Sequence, residues 1–263
     1  MNSADGVVLP SFSLVGRTAL VTGASSGLGA RFAAVLAAAG ARVVLTARRL
    51  EALAAVAAEI TARGGQATCA PMDVTDERSV VAAFDRAEAD AGPIDTVIAN
   101  AGIGGGGRST EMPVAAFSSI MSVNATGAFL TAREAGRRMI ANGSRERQDG
   151  RILIVASAAA HTPVAGLAAY NASKAAAAML GRSLAVEWVR QGINVNVLCP
   201  GYIRTDINAE MFEGVTGEAQ ISALGRRRLM TPEDLDGGVL YLCSNASRAV
   251  TGSVLTIDDG QSA

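Results

Sequence analysis

The chain has 263 residues, of which 49% are hydrophobic and 18% are charged, and its formal net charge is −1. A substantial buried core is therefore possible, and long disordered segments are not expected. The small net charge, without a lysine- or arginine-rich tail, argues against nucleic acid and anionic membranes as partners. The N-terminus has no secretory pattern, and no uninterrupted apolar stretch of membrane-spanning length is evident. We therefore expect a cytoplasmic protein with no membrane partner.

The cysteine and histidine content limits the metal and disulfide chemistry. Cys69, Cys199 and Cys243 are far apart, odd in number and not accompanied by histidines at ligand spacing. Neither a disulfide framework nor a metal site is indicated. The single histidine, His161, lies beside the candidate site described below, and we interpret it as a loop residue rather than a catalyst.

Short apolar runs alternate with helical segments along the chain. Strands are predicted near residues 18–22, 42–46, 67–71, 95–99, 151–156, 194–198 and 254–257. Helices are predicted near residues 30–39, 50–63, 77–91, 114–142, 168–191 and 232–244. This alternation indicates a parallel sheet with helices on both faces, because parallel strands need helical crossovers. We predict an α/β fold with a single doubly wound domain over residues 1–263.

A glycine-rich turn separates the first strand from the first helix. It reads Thr22-Gly23-Ala24-Ser25-Ser26-Gly27-Leu28-Gly29, with glycines spaced G-x-x-x-G-x-G. Small residues let the backbone approach a pyrophosphate, whose charge the amides at the helix N-terminus stabilise. The predicted contacts are Gly23, Ser25, Ser26, Gly27, Leu28 and Gly29. An ordinary tight turn is the alternative.

Charged residues after the second and third strands suggest how a nucleotide is recognised. A carboxylate after the second strand would bind the ribose hydroxyls and repel a 2'-phosphate. The sequence has Arg48 and Arg49 there instead, which favours NADP over NAD unless both are simply solvated. Asp73, followed by Val74, comes after the third strand and could meet the adenine amino group. Its alternative role is to begin a turn or cap the next helix.

Three side chains form a candidate proton-transfer site. Ser157 follows the apolar strand at 151–156, and Tyr170 and Lys174 are spaced i, i+4 on a predicted helix. They therefore project from one helical face. An ammonium group beside a phenol favours the phenolate, so we expect Lys174 to lower the pKa of Tyr170. Ser157 could hold a substrate oxygen while a proton moves to or from it, which usually accompanies hydride transfer.

These residues together resemble the short-chain dehydrogenase/reductase family, in its classical subfamily. The matching motifs run in the family's order over nearly the whole chain: the glycine-rich turn, Asp73-Val74, Asn100-Ala101-Gly102, Asn124, Ser157, Tyr170-x-x-x-Lys174 and Pro200-Gly201. The resemblance implies a seven-stranded Rossmann-type sheet and a nicotinamide cofactor. It also implies a homodimer or homotetramer that pairs through the helices beginning near residues 114 and 168.

The resemblance assigns a role to each catalytic candidate. By it, Tyr170 is the general acid/base, Lys174 binds the nicotinamide ribose and lowers the tyrosine pKa, and Ser157 orients the substrate oxygen. Asn124 resembles the asparagine that helps to hold a water relay behind the lysine, with a buried helix-bending asparagine as the alternative. The remaining implied cofactor contacts are Asn100, Ala101, Gly102, Pro200, Gly201, Ile203 and Thr205.

Two departures from the family pattern leave the catalytic groups intact. Ala156 occupies a position where many members have serine, and Asp258-Asp259-Gly260 replaces a commoner Asp-Gly-Gly. These departures affect the expected local packing near the C-terminus. The substrate pocket is predicted to be formed by residues 103–107, 158–167 and 204–229, the last as a mobile lid.

The sequence thus predicts an NADP-dependent oxidoreductase, with NAD as the alternative cofactor. Its substrate would be a small ketone or aldehyde, or the corresponding alcohol. A 3-oxoacyl-carrier-protein reductase is a more specific alternative, for which the basic cluster at residues 226–228 could meet an acidic carrier. A catalytically silent nucleotide-sensing protein is the alternative from another class, although a sensor has no evident need of a proton relay.

Overall fold

The computed structural model describes residues 9–204 and 212–262. Seven parallel strands form one sheet in the order β3-β2-β1-β4-β5-β6-β7. The strands are β1 (Thr18–Thr22), β2 (Arg42–Ala47), β3 (Gln66–Pro71), β4 (Thr96–Ala99), β5 (Gly150–Val155), β6 (Ile193–Pro200) and β7 (Val254–Ile257). Each predicted strand is present within one or two residues of its expected bounds. The predicted Rossmann-type fold is confirmed.

Helices cover both faces of the sheet. They are α1 (Gly27–Ala38), α2 (Leu50–Ala62), α3 (Glu77–Ala91), α4 (Val114–Met121), α5 (Gly127–Ala141), α6 (Ser144–Arg147), α7 (Ala168–Trp188), α8 (Gly214–Ala223) and α9 (Asp236–Cys243). One apolar layer lies between the sheet and α3, α5 and α7, and a second lies beneath α1, α2 and α9. The strand order reverses between β1 and β4, which places a ligand crevice at the carboxyl ends of these strands.

The predicted helix at 114–142 is interrupted, contrary to the expectation of one continuous helix. Residues Ser122–Thr126 form a π-helical turn between α4 and α5. Asn124, within this turn, is 2% exposed and hydrogen-bonds to the backbone of Ile103. A π-turn inserts an extra residue and re-aims the side chains near it. Helices α6 and α8 were not predicted, and the first helix begins at Gly27 rather than at residue 30.

Among the described residues, the helical stretch Val114–Ala141 contains 18 residues whose mean hydropathy, 1.3, meets the criterion for a candidate membrane span. The sequence predicted no uninterrupted apolar stretch of that length, and polar residues such as Ser118, Ser122 and Asn124 do interrupt this one. A single helix of this kind is weak evidence for a membrane, because core helices pass the same test. The inner face of α5 packs in the core, and its Glu134 and Arg138 form a buried ion pair at 2.6 Å.

Candidate active site

The turn after β1 leaves no space for side chains at two of its glycines. Gly23 has a φ of +66°, and a Cβ built there would lie 2.9 Å from the Cα of Ala101. A Cβ on Gly29 would overlap the Gly23 carbonyl group and lie 2.6 Å from Asn100 Nδ2. That amide also donates a 2.9 Å hydrogen bond to the Thr22 carbonyl. The bare backbone at the start of α1 therefore forms a cradle that fits a phosphate group.

This cradle opens into a cleft with a volume of about 550 Å³, called here the nucleotide cleft. Every residue predicted to contact the cofactor lines the cleft except Thr205, which lies outside the described residues. The cleft is long enough to pass from the glycine turn to Pro200 and Gly201 after β6. The structure thus brings the sequence-predicted contacts together, while the contacts themselves stay a prediction.

Two exposed arginines follow β2 at one end of the nucleotide cleft. Arg49 Nη2 donates hydrogen bonds to the hydroxyl oxygens of Ser25 and Ser26, and each bond is 3.1 Å long. These two bonds connect Arg49 to the glycine turn. Arg48 also lines the cleft, so both guanidinium groups are available beside the phosphate cradle.

Asp73 both lines the nucleotide cleft and forms a turn. Its Oδ1 accepts hydrogen bonds from the Thr75 hydroxyl at 2.7 Å and the Thr75 amide at 2.9 Å. These two bonds, more than the charge of nearby Arg48, hold the pKa of the Asp73 carboxyl below its usual range. The turn-forming alternative is therefore present in the structure, and it leaves the residue in position beside the cleft.

The three catalytic candidates meet where β5 ends against α7. Ser157 follows β5, and its hydroxyl oxygen accepts a 3.2 Å hydrogen bond from the Ala159 amide. Tyr170 and Lys174 lie one turn apart on α7. Lys174 Nζ is 5.7 Å from the centre of the Tyr170 ring and donates a 3.0 Å hydrogen bond to the Val155 carbonyl. The serine and the tyrosine thus share one wall, with the ammonium group behind them.

Burial dominates the electrostatics of this trio. It raises the pKa of the Tyr170 phenol, and the hydrogen bond with Ser157 opposes this rise only in part. Burial also lowers the pKa of the Lys174 ammonium to about 8. The net shift of the tyrosine pKa is therefore upward, because desolvation outweighs the opposing hydrogen bond, and the lowering expected from Lys174 stays a prediction. The protonated phenol is the form that can donate a proton to a carbonyl oxygen.

Asn124 connects the loop after β4 to α7. Its Oδ1 accepts a 2.8 Å hydrogen bond from the Ile103 amide, and its Nδ2 donates to Ile103 O at 3.0 Å and to Ser173 Oγ at 2.9 Å. The helix-bending alternative agrees with the π-turn that contains this residue. A Cβ on Gly102 would lie within 3.4 Å of both Asn124 Oδ1 and Lys174 Nζ, so the two side chains face the same small space.

A second cavity, called here the substrate pocket, adjoins the nucleotide cleft and has a volume of about 140 Å³. Two of the predicted walls contribute to it, through Gly104, Gly105, Ala158, Ala159, Thr162, Val164 and Leu167. None of the described residues of 204–229 lines it. Its third wall consists of Tyr202, Gln261 and Ser262, which the sequence reasoning missed. Their position after β6 and β7, at the carboxyl edge of the sheet, is the signal that could have identified them.

The unusual Asp259 links the C-terminal turn to the basic cluster. It adopts a φ of +57°, where glycine is most easily accommodated and aspartate is tolerated better than most residues. Its two carboxylate oxygens each lie 3.0 Å from a guanidinium Nε, one on Arg226 and one on Arg228. Two of the three arginines considered for carrier docking are therefore already paired within the chain.

A family model described as short chain dehydrogenase matches residues 17–216. The chain therefore belongs to the short-chain dehydrogenase family. The resemblance inferred from the motifs is confirmed, and so is the enzyme class, a dehydrogenase/reductase that acts on CH–OH groups.

Individual relatives match over almost their whole length. The gluconate 5-dehydrogenase of Gluconobacter oxydans is 36% identical over 253 residues, which cover 95% of this chain and 96% of the relative. The cis-4-hydroxycyclohexanecarboxylate dehydrogenase of Sinomonas cyclohexanicum is 37% identical over 251 residues, covering 94% and 97%. A solved gluconate 5-dehydrogenase from Burkholderia cenocepacia, in complex with NADP and tartrate, has a TM-score of 0.89 and 33% identity, over 95% of this chain and 96% of that one.

Proposed function

We propose that the protein is an NADP-dependent oxidoreductase that interconverts a secondary alcohol and a ketone, or an alcohol and an aldehyde. The observation that carries this proposal is the position of Ser157 and Tyr170, which line both the nucleotide cleft and the substrate pocket. A proton donor at this junction can reach the oxygen of a substrate whose carbon faces the nucleotide cleft. The names of the relatives, all dehydrogenases of hydroxylated compounds, support the same reaction.

Each residue of the site has a separate role in proton transfer. Ser157 and Tyr170 hold the substrate oxygen by hydrogen bonds, and the Tyr170 phenol gives up its proton in reduction and regains it in oxidation. Lys174 binds the nicotinamide ribose, and its charge stabilises the phenolate that reduction leaves behind. Asn124 helps to hold a water relay behind Lys174, through which the Tyr170 phenol regains its proton. When bound, the nicotinamide ring supplies or accepts the hydride.

The cofactor assignment is supported by the charges beside β2. The cradle at Gly23 and Gly29 fits a pyrophosphate, and Arg48 and Arg49 provide two guanidinium groups for a 2'-phosphate. The solved relative that contains NADP is consistent with this choice.

We expect kcat/KM to be at least about 10-fold higher with NADP(H) than with NAD(H), because charge-assisted hydrogen bonds to the 2'-phosphate contribute about 1.5–3 kcal/mol each. Arg48→Ala and Arg49→Ala should each raise the KM for NADP by about 10-fold and leave that for NAD within about 3-fold. Arg63→Ala, which removes an exposed arginine after α2, is the matched control. A wild-type preference for NAD would contradict the assignment.

The two alternative functions have less support. Carrier-protein docking would use the cluster at residues 226–228, but Arg226 and Arg228 are paired with Asp259. A silent nucleotide sensor has no use for the arrangement of Ser157, Tyr170 and Lys174. An assay that follows the loss of NADPH absorbance with a panel of ketones and acyl thioesters distinguishes the three functions. Turnover of ketones supports our proposal, turnover of thioesters alone supports the carrier-dependent reductase, and NADPH binding without turnover supports the sensor.

We propose that the subunits form a homodimer or homotetramer through α4, α5 and α7. These helices expose large apolar side chains at Val114, Phe117, Phe129, Ile140, Met179 and Val186. Exposed apolar patches of this kind mark interaction surfaces. A purely monomeric mass in a sizing measurement would contradict the assembly.

The three cysteines are all unpaired, which supports a location in the reducing cytoplasm.

A further inference from the structure

The substrate pocket has an uncharged lining. Around Ser157 and Tyr170, its described walls carry hydroxyl groups, one side-chain amide and small apolar groups, with no lysine, arginine or histidine. The described lining of the pocket therefore offers an anionic substrate no cation.

Three arginines on the segments near the substrate pocket have other partners. Arg226 and Arg228 pair with Asp259, as described above. Arg204 Nη2 donates a 3.1 Å hydrogen bond to the Phe212 carbonyl. These contacts hold the three guanidinium groups on the protein's own oxygens.

Two further basic side chains near Tyr170, Lys174 and His161, are not among the described lining residues of the substrate pocket. Lys174 lines the nucleotide cleft and donates to the Val155 carbonyl. The exposed His161 has its Nε2 3.4 Å from the hydroxyl oxygen of Thr256. Neither belongs to the pocket wall.

An acidic group lies just behind the pocket wall. Asp258 Oδ2 accepts a 2.9 Å hydrogen bond from the Ser262 amide, and its Oδ1 accepts a 3.0 Å bond from the Gly260 amide. Ser262 in turn lines the pocket. A negative charge thus lies beside Ser262, and it disfavours a carboxylate nearby by repulsion.

We propose that the substrate is an uncharged secondary alcohol or ketone, and that this pocket discriminates against carboxylates. An ionised carboxylate that leaves water for an unpaired site loses its hydration without compensation. Two relatives are named for the anions gluconate and cis-4-hydroxycyclohexanecarboxylate, so the inference separates this chain from them. It rests on the proposed function of the site.

Pairs in which a neutral group replaces the carboxylate test this directly. The probes are 4-oxocyclohexanecarboxamide against 4-oxocyclohexanecarboxylate, and D-glucitol against D-gluconate. We expect kcat/KM to be at least about 30-fold higher for the neutral member of a pair that is turned over. For a pair that is not turned over, the inhibition constants against the best ketone of the panel replace kcat/KM. Equal or better use of the charged members overturns the inference and leaves the proposed function intact, whereas no turnover of any ketone or alcohol overturns both.

A variant tests the origin of the discrimination. Thr162 lines the pocket and is exposed, so a longer side chain can be accommodated there. Thr162→Arg should raise the ratio of kcat/KM for the carboxylate to kcat/KM for the amide by about 10-fold, whatever its effect on the overall rate. Thr162→Gln, which adds length without charge, should leave the ratio unchanged. If Thr162→Arg also leaves the ratio unchanged, the lack of a cation is not the cause and the proposal fails.

Discussion

Replacing Tyr170 with phenylalanine should lower kcat by about 10²- to 10⁴-fold, which is the usual contribution of general acid/base catalysis, because no other phenol belongs to the trio. The change removes only the hydroxyl group, so the Kd for NADP(H) should stay within about 3-fold of the wild-type value. Steady-state assays of NADPH oxidation at saturating cofactor and ketone give kcat, and fluorescence titration of NADPH gives the Kd.

Tyr202→Phe provides a matched control for this substitution. Tyr202 also lines the substrate pocket, and burial likewise raises the pKa of its phenol. It lies outside the Ser157-Tyr170-Lys174 arrangement, and its ring packs edge-on against Phe212 at 5.5 Å. We expect its loss of kcat to stay below about 10-fold. A Tyr170→Phe enzyme that retains a tenth of the wild-type kcat would remove Tyr170 from its proposed role.

Lys174→Met should damage both catalysis and cofactor binding. The substitution keeps the length of the side chain but removes the charge that stabilises the phenolate and the donor proposed for the nicotinamide ribose. We expect kcat to fall by about 100-fold or more and the Kd for NADP(H) to rise by about 10-fold. Lys174→Ala should do the same but also leaves a cavity, so methionine is the cleaner variant. Normal turnover by Lys174→Met would contradict the assignment.

The same substitution should stabilise the protein without cofactor. The folded pKa of Lys174 is about 8 against the ordinary 10.5, so the buried charge costs about 3 kcal/mol below pH 8. Loss of the hydrogen bond to Val155 offsets part of this, and we expect a net gain of about 1–2 kcal/mol at pH 7.

The stabilising effect should depend on pH in a defined direction. Between pH 8 and 10.5 the unfolded wild type binds more protons than the folded form, so wild-type stability rises with pH through this group. The advantage of Lys174→Met should therefore be largest below pH 8 and disappear by about pH 10.5. Urea unfolding of both proteins at pH 7 and pH 10 measures this, and an advantage that grows with pH would contradict it.

Features that depend on local pattern could be predicted from the sequence. The strand bounds could be predicted from short apolar runs in the sequence. The turn after β1 could be predicted from its glycine spacing, because Gly23 and Gly29 lie too close to neighbouring backbone to carry a side chain. The i, i+4 spacing of Tyr170 and Lys174 was sufficient to place them on one face of α7. These predictions succeed because propensity and periodicity act over a few residues.

Features that depend on distant packing could not be predicted. The π-turn at Asn124 forms where that side chain bonds Ile103 and Ser173, which lie in other elements. The contribution of Gln261 to the substrate pocket depends on the contact between its Oε1 and the Tyr202 amide at 2.6 Å. The direction of the Tyr170 pKa also depends on burial by the whole fold. Spacing alone carries no information on these long-range contacts.

The most direct test of the account is to incubate the wild-type protein with NADPH and each of a panel of uncharged ketones, and to measure both NADPH oxidation and alcohol formation. The account predicts that at least one ketone is reduced to its secondary alcohol, with one NADPH oxidised per alcohol formed. If the protein binds NADPH but reduces no ketone and oxidises no alcohol in the reverse direction, the proposed function is contradicted.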